Sequence, residues 1–283
     1  MPVDQQCSRR TFQKLDRQLA KLGEKAAPEN VHRFRTSGRR VEALLDAAIL
    51  QPRRNERKLL KMLARLRKKA GRVRDLDVQI SALRNFKIPA GADRKSQLIR
   101  VLSEERVKAE KKLQAAFDRG TLRRLRKRLK HASADIPKTN DPLQVAMGLL
   151  AELGQTGMPV TEKILHQYRI AGKRARYLSE LAGSNPEAER VVGVLKQMQD
   201  VIGDWHDWLK LTQRAEKMFG TAPESSLVSA LRNVTQAKFR QAVKALEQAR
   251  SALPIQVKKT GTAETPSSRK AVAPAAAAAV AAA

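Results

Sequence analysis

The sequence has few cysteines and no long apolar segment, and each shortage excludes a class of protein. Its only cysteine among 283 residues is Cys7, so no disulfide can form within the chain, which suits a reducing compartment. No run of about 18 apolar residues has the character of a membrane span. The polar N-terminus lacks the apolar segment of a signal peptide. We therefore expect no membrane association and a cytoplasmic location.

Acidic and aromatic residues are also scarce. The chain carries 57 Lys and Arg against 28 Asp and Glu, which gives a formal charge of +29 and a pI near 11.0. This excess favours polyanionic partners, and on charge alone nucleic acid, polyphosphate and anionic membrane all qualify. Hydrophobic residues make up 42% of the chain but aromatic residues only 4%, so we expect a core of Leu, Val, Ala and Ile.

One ten-residue motif occurs twice. Residues 31–40 and 165–174 both contain the pattern His-x-aromatic-Arg-x-x-Gly-basic-Arg. A second pair of segments follows the two copies: Gly71-Arg72-Val73-Arg74-Asp75 begins 39 positions after the first motif histidine, and Gly203-Asp204-Trp205-His206-Asp207 begins 37 positions after the second. This repetition indicates a duplicated helical unit. Because two copies are too few for an open solenoid, the copies must pack on each other.

Helical geometry separates each motif into two faces. At about 100° per residue, His32, Arg35 and Arg39 fall within roughly 60° of one another, opposite the apolar residues. The second copy groups its cations in the same way: His166, Arg169, Lys173 and Arg176. Gly38 and Gly172 lie in the apolar stripes, where a glycine costs about 1 kcal/mol. We therefore predict that another backbone approaches closely at these two glycines.

The spacing of apolar residues predicts nine helices and no strand, so the fold class is all-α. Thr161 and Asn185 are suited to cap two of the helices, and Pro186 fits a first helical turn. Residues 254–283 consist of Lys, Thr, Ser, Pro and Ala without periodicity and read as a disordered tail. The predicted helices span about residues 8–24, 30–50, 56–83, 93–118, 122–131, 142–153, 162–183, 186–219 and 224–252.

Together the motifs resemble those of the conserved histidine α-helical domain family, called CHAD. In the first half the resemblance rests on His32-x-x-Arg35-x-x-x-Arg39-Arg40 and Arg74-Asp75-x-Asp77. In the second half it rests on His166-x-x-Arg169-x-x-x-Lys173, Arg176-Tyr177 and Gln199-Asp200-x-x-Gly203-x-x-His206-Asp207. The resemblance covers residues 8–252 and implies a compact helical bundle, a domain within 1–253, with two pseudo-symmetric four-helix halves at about 8–131 and 142–252.

The family is implicated in binding inorganic polyphosphate along a basic groove or pore, without a cofactor. Some members carry a triphosphatase domain, and because only short termini lie outside the matching residues we expect none here. The resemblance and the charge ladders together predict no catalytic residue and no metal ligand. We predict that Asp75 and Asp207 orient the Arg or His side chains. The predicted polyphosphate-binding residues are His32, Arg35, Arg39, Arg40, Arg57, Lys61, Arg65, Lys68, Arg72, Arg74, His166, Arg169, Lys173, Arg174, Arg176, Lys196 and His206.

Other interpretations stay open at this stage. The charges can form a solvated helix face, and the histidines can be structural residues, phosphate donors or, with Asp75 or Asp207, metal ligands. Clustered acids could hold Mg²⁺ for polyphosphate or triphosphate hydrolysis. The charge and the Lys/Pro/Ala tail also suit an architectural nucleic-acid-binding protein, although aromatic residues for base stacking are few. For a polyphosphate binder we expect association with polyphosphate granules.

Overall fold

The chain folds into a bundle of helices that matches the predicted pattern closely. The computed structural model describes residues 5–48, 52–88, 92–134, 141–151, 159–183, 185–220 and 225–253, and within these ranges all regular structure is helical. The all-α prediction is therefore confirmed. The predicted disordered tail, 254–283, lies outside the described residues. The helices are α1 (Gln5–Glu24), α2 (Pro28–Ala48), α3 (Arg54–Asn85), α4 (Ala92–Gln114), α5 (Arg119–Ala134), α6 (Pro142–Ala151), α7 (Glu162–Ser179), α8 (Pro186–Phe219) and α9 (Ser226–Ala252).

Local sequence explains several helix ends. The Thr161 hydroxyl accepts a hydrogen bond from the backbone N–H of Ile164 and caps α7, as predicted. The side-chain Oδ1 atom of Asn185 accepts hydrogen bonds from the backbone N–H groups of Glu187 and Ala188, and Pro186 occupies the first turn of α8. Gly220 follows α8 with a φ of 80°, a conformation that favours glycine.

The core is built mainly from leucine, with a few aromatic contacts. Phe34 on α2 packs edge-on against Phe117, with ring centroids 5.5 Å apart. Trp205 is buried, and Trp208 packs against Phe86 and the core. The apolar faces of both motif helices are buried, as their periodicity predicts: Phe34, Val41, Leu45, Tyr168, Ala175 and Leu178.

The prediction of a close backbone at the two motif glycines is wrong. A Cβ atom at Gly38 would have no neighbouring heavy atom within 4 Å among the described residues. At Gly172 the close neighbours are side chains of α8, since a Cβ would lie 2.8 Å from Cε of Met198 and 3.5 Å from Nε2 of Gln199. Gly172 therefore makes room for packing side chains, and nothing in the structure explains Gly38.

The helices contact one another in the same order in two parts of the chain. α1 packs against α2, α2 against α3 and α3 against α4, while α6 to α9 form an equivalent series. α5 packs against α1 and α3. The two series meet where α2 contacts α7 and α3 contacts α8. The motif helices α2 and α7 thus lie side by side.

Two ion pairs across this contact are reciprocal. Arg40 Nε lies 2.6 Å from Glu180 Oε2, and Arg174 Nη2 lies 3.8 Å from Asp46 Oδ2. Arg40 and Arg174 are 134 positions apart, and so are Asp46 and Glu180. This is also the interval between the two motif histidines. Reciprocal contacts of this kind are typical of a two-fold interface. They support the predicted pseudo-symmetry of the halves, which stays a prediction.

Candidate functional site

Four cationic side chains meet at the contact of α2 and α7, and we call them the arginine cluster: Arg35, Arg39, Arg169 and Lys173. Burial lowers the pKa of Arg35, and the charges of Arg39 and Arg169 lower it further. Burial likewise lowers the pKa of Arg39, with further lowering by Arg67 and Arg169. The basic faces of the two motif copies therefore converge, as the duplication predicts.

Lys173 is the most strongly perturbed member of the arginine cluster. Burial, followed by the charges of Arg169 and Arg39, lowers its pKa to about 7, and Asp207 on α8 only partly opposes this effect. An arginine retains its proton under all ordinary conditions, whereas a buried lysine releases one readily. Lys173 is therefore the group through which the cluster can change its charge near neutral pH.

α3 contributes a glycine and a carboxylate to the cluster. The Arg35 guanidinium lies directly over Gly71, in the space that a Cβ atom would need. Asp75, one turn further along α3, places Oδ1 4.0 Å from Arg35 Nη2. Gly71 thus allows the guanidinium to approach the α3 backbone beside Asp75. The predicted orienting role of Asp75 has the required geometry and stays a prediction.

An open cleft of about 850 Å³ runs from the arginine cluster over α3. Besides Arg35, three of its lining residues were predicted from the sequence as binding residues: Arg65, Lys68 and Arg72. The sequence reasoning missed Arg67 and Lys69, which also line the cleft. The only available signal was the run of four cations in residues 65–69. The other lining residues are Arg35, Ala64, Gly71 and Asp75.

The histidines occupy two different settings. His166 stacks on His206, with ring centroids 5.8 Å apart and planes inclined by 27°. Burial, then the proximity of His206, lowers the pKa of His166. His206 Nδ1 also lies 3.6 Å from Asp207 Oδ1. Burial and the charge of Arg74 lower the pKa of His32, which lines a separate cleft between α1 and α2. Their predicted roles in binding remain predictions.

Three predicted binding residues are engaged by acids at the α2–α7 contact, and Arg72 of α3 pairs with Glu105 of α4. Arg40 pairs with Glu180 and Arg174 with Asp46, as described above. Arg176 Nε lies 3.7 Å from Glu180 Oε1, and the Arg176 guanidinium lies over the Tyr177 ring. The repeated motif suggested Arg40 and Arg174 and helical phase suggested Arg176, but their side chains reach the acids of the α2–α7 contact. Binding of phosphate by these three remains untested.

The remaining predicted residues lie further from the cluster. Arg57 and Lys61 are exposed on α3, and Lys196 is exposed on α8. The described residues contain no group of three or more His, Cys, Asp and Glu side chains arranged to hold a metal ion. No helix in the described part of the chain is both long and apolar enough to cross a membrane.

The fold and the cluster define an all-helical protein with a half-buried cationic site between two similar helices. Residues 7–216 match the model of the CHAD domain, and the chain belongs to this family. The fold is similar to that in the crystal structure of the CHAD domain from the plant Ricinus communis. The TM-score is 0.61 at 20% sequence identity, over 86% of this chain and 88% of that one. No curated protein is similar enough in sequence to count as a match.

Proposed function

We propose that this protein binds inorganic polyphosphate, without catalysing a reaction, along the basic surface formed by α2, α3 and α7. The arginine cluster carries the proposal. Two arginines from α2 lie near an arginine and a lysine from α7, while the adjacent carboxylates are Asp75, Asp207 and Glu42, and Glu42 already pairs with Arg67. A half-buried site with more cations than anions is electrostatically unfavourable until an anion enters it.

The arrangement suits phosphate oxygens in particular. Guanidinium groups form bidentate, charge-assisted hydrogen bonds with them, and three guanidiniums here lie close enough for their charges to influence one another. The cleft over α3 continues the positive charge with Arg65, Lys68 and Arg72, so the surface is longer than one phosphate ion requires. A linear polyanion matches a site of this shape.

Binding without catalysis agrees with the state of the carboxylates. Asp75 lies beside Arg35. Asp207 lies beside His206 and partly opposes the lowering of the Lys173 pKa. These acids compensate cations, whereas phosphoryl chemistry with Mg²⁺ needs carboxylates that are available to the metal. We extend the proposal to a cytoplasmic location on polyphosphate granules.

A competition experiment tests the ligand class. Labelled long-chain polyphosphate is bound to the protein and displaced with double-stranded DNA, and the reverse displacement is measured, both at two salt concentrations. We expect polyphosphate to displace DNA at a far lower phosphate concentration than DNA displaces polyphosphate. The opposite order would favour an architectural nucleic-acid-binding protein, and phosphate release with Mg²⁺ or Mn²⁺ would indicate an enzyme.

A pair of substitutions tests the site. Arg35→Ala combined with Arg169→Ala removes one guanidinium from each motif helix, and we expect polyphosphate affinity to fall by roughly a hundredfold or more, because each charge-assisted hydrogen bond contributes about 1.5–3 kcal/mol. The matched control, Arg100→Ala with Arg240→Ala, removes one exposed arginine from α4 and one from α9. Equal affinities for the two variants, with circular dichroism unchanged, would show that the cluster is not the site.

A further inference from the structure

The two helices that carry the second motif pair have opposite charge balances. α3 contains 11 Lys and Arg against 3 Asp and Glu, whereas α8, its counterpart in the repeat, contains 5 against 6. The same contrast holds for the two series of helices. Residues 5–134 contain 37 basic and 13 acidic residues, a net charge of +24, while residues 141–253 contain 15 and 12, a net charge of +3. The positive charge is therefore concentrated in the first half.

The reversal can be followed position by position. When Gly71 is aligned with Gly203, three basic residues of the cleft correspond to one neutral and two acidic residues of α8: Arg65 to Gln197, Lys68 to Asp200 and Arg72 to Asp204. All three α8 residues are exposed. A phosphate chain along this face of α8 would meet carboxylates where the same chain along α3 meets cations.

An ion pair present in both halves shows the reversal in the structure itself. On the first-half side, Arg72 of α3 pairs with Glu105 of α4 at 2.5 Å. On the second-half side, Asp204 of α8 pairs with Lys238 of α9 at 2.8 Å. The contact is retained, but the long helix supplies the cation in one half and the anion in the other. Packing is thus similar in the two halves while the surface potential differs.

α3 also extends the basic surface away from the cluster. Exposed cations recur on its outer face at intervals of three or four residues, from Arg72 back to Arg57. Fifteen residues of helix correspond to about 22 Å at 1.5 Å per residue. We call this face the α3 stripe, and its members are Arg57, Lys61, Arg65, Lys68 and Arg72. It begins in the cleft that Arg35 lines.

From these observations we propose that the polyphosphate path is one-sided: the chain enters at the arginine cluster and runs along the α3 stripe, and no equivalent path follows α8. The inference rests on the proposed function and adds a direction and a length dependence to it. The second half contributes Arg169 and Lys173 to one end of the path. A short oligophosphate would occupy the cluster alone, whereas a long chain would also cover the stripe.

Two matched variants separate this path from the overall charge. Arg57→Ala with Lys61→Ala removes an Arg and a Lys four residues apart from the far end of the stripe. Arg123→Ala with Lys127→Ala removes the same pair at the same spacing from α5. All four residues are exposed. α5 packs against α1 and α3, and the clefts beside it contain no member of the arginine cluster.

Affinities for long-chain polyphosphate and for tripolyphosphate are measured for both variants at several salt concentrations. For the stripe variant we expect a loss of about tenfold for the long chain, with the slope of log affinity against log salt smaller by about 1.4–1.8, and unchanged tripolyphosphate binding. The α5 variant should bind both ligands like the parent protein, because neither of its residues belongs to the α3 stripe or lines the cleft beside the arginine cluster.

The outcomes distinguish this inference from the proposed function. Equal losses in the two variants, or an unchanged long-chain affinity in the stripe variant, would overturn the one-sided path even if Arg35→Ala with Arg169→Ala abolishes binding. If the unchanged protein fails to bind long-chain polyphosphate, the proposed function is wrong and the path falls with it.

Discussion

At the scale of single residues, the site depends on how four cations are kept close together. Arg35 approaches the α3 backbone only because Gly71 has no side chain, and Asp75 beside it compensates part of the charge. Lys173 responds in a different way, since burial and its arginine neighbours lower its pKa to about 7. Gly71 and Lys173 each lead to a prediction that can be tested without removing an arginine.

Gly71→Ala should weaken polyphosphate binding without destabilising the fold. The new methyl group displaces the Arg35 guanidinium, which is the end of a flexible side chain, while alanine is favoured over glycine in a helix by up to about 1 kcal/mol. The repeat supplies the control, because a Cβ at Gly203 meets no heavy atom within 4 Å among the described residues. Chemical denaturation and binding titrations on both variants would show whether only Gly71→Ala reduces affinity.

Affinity for polyphosphate should depend on pH through Lys173. The bound polyanion favours the protonated form of the Lys173 amine. Where this amine is neutral in the free protein, binding takes up a proton, so affinity falls as pH rises above about 7. The limiting slope from this group is about tenfold per pH unit. Position 173 corresponds to position 39 of the first motif copy, where the residue is arginine. Lys173→Arg should therefore be tolerated and should flatten the dependence of affinity on pH between pH 7 and 8.5.

Calorimetry in buffers of different ionisation enthalpy counts the protons taken up. The same slope in the parent protein and in Lys173→Arg would assign the effect to another group. His32 and His166 can be distinguished from Lys173 by the pH range in which they titrate, because burial lowers the pKa of each of these two histidines. The stability of the free protein should depend on pH in the opposite direction. Its free energy of unfolding should rise from pH 7 towards 10, because the unfolded chain still holds the Lys173 proton in this range and the folded protein does not.

At the scale of the helices, α2 and α7 are held together by the reciprocal ion pairs as well as by their apolar faces. Arg40 and Glu180 are 2.6 Å apart and their side chains are 34% and 23% exposed, so solvent screens the pair only in part. The repeated motif and, for Arg176, helical phase had placed Arg40, Arg174 and Arg176 among the predicted binding residues. A helical wheel shows the direction of a side chain but does not show an acidic partner on the neighbouring helix.

A double-mutant cycle on Arg40→Ala and Glu180→Gln should give a coupling energy of about 0.5–1 kcal/mol, the range expected for a partly exposed ion pair. Glu180 also lies near Arg176, so Glu180→Gln alone should cost more stability than Arg40→Ala alone. Urea denaturation measures all three variants. Coupling within experimental error of zero would mean that the pair does not help to hold α2 on α7.

At the scale of the whole molecule, the charge of +29 acts on both stability and binding. Like charges on the folded protein repel one another, and a bound polyanion relieves this repulsion while it stabilises the folded state by mass action. The first half carries most of the excess, so these effects should originate there.

Salt should therefore have opposite effects on the free and the bound protein. Between low and moderate ionic strength we expect the thermal midpoint of the free protein to rise, because salt screens the repulsion. Over the same range the increase in midpoint caused by long-chain polyphosphate should shrink, because counterion release contributes less. Thermal scans with and without polyphosphate at several salt concentrations would show this, and an increment independent of salt would contradict it.

Much of the fold was predictable from residue spacing. The predicted helix 186–219 and the observed α8, Pro186–Phe219, have the same limits, because Asn185 caps one end and Gly220 ends the other. The contact of α2 with α7 was also predictable, since two copies of a repeat must pack on each other. Arg67 escaped prediction, because its partner Glu42 lies 25 positions away and no local pattern joins them.

The sequence by itself determined the helices, the duplication and the sign of the protein's net charge, because periodicity, repetition and composition are properties of the chain alone. Only the tertiary structure decided which cations remain available. It neutralised Arg40 and Arg174 with acids from the other half, brought Lys173 among arginines, and left the α3 stripe beside an open cleft. The physical reason is distance: charge interactions fall off within a few ångströms, and residues about 130 positions apart become neighbours only through packing.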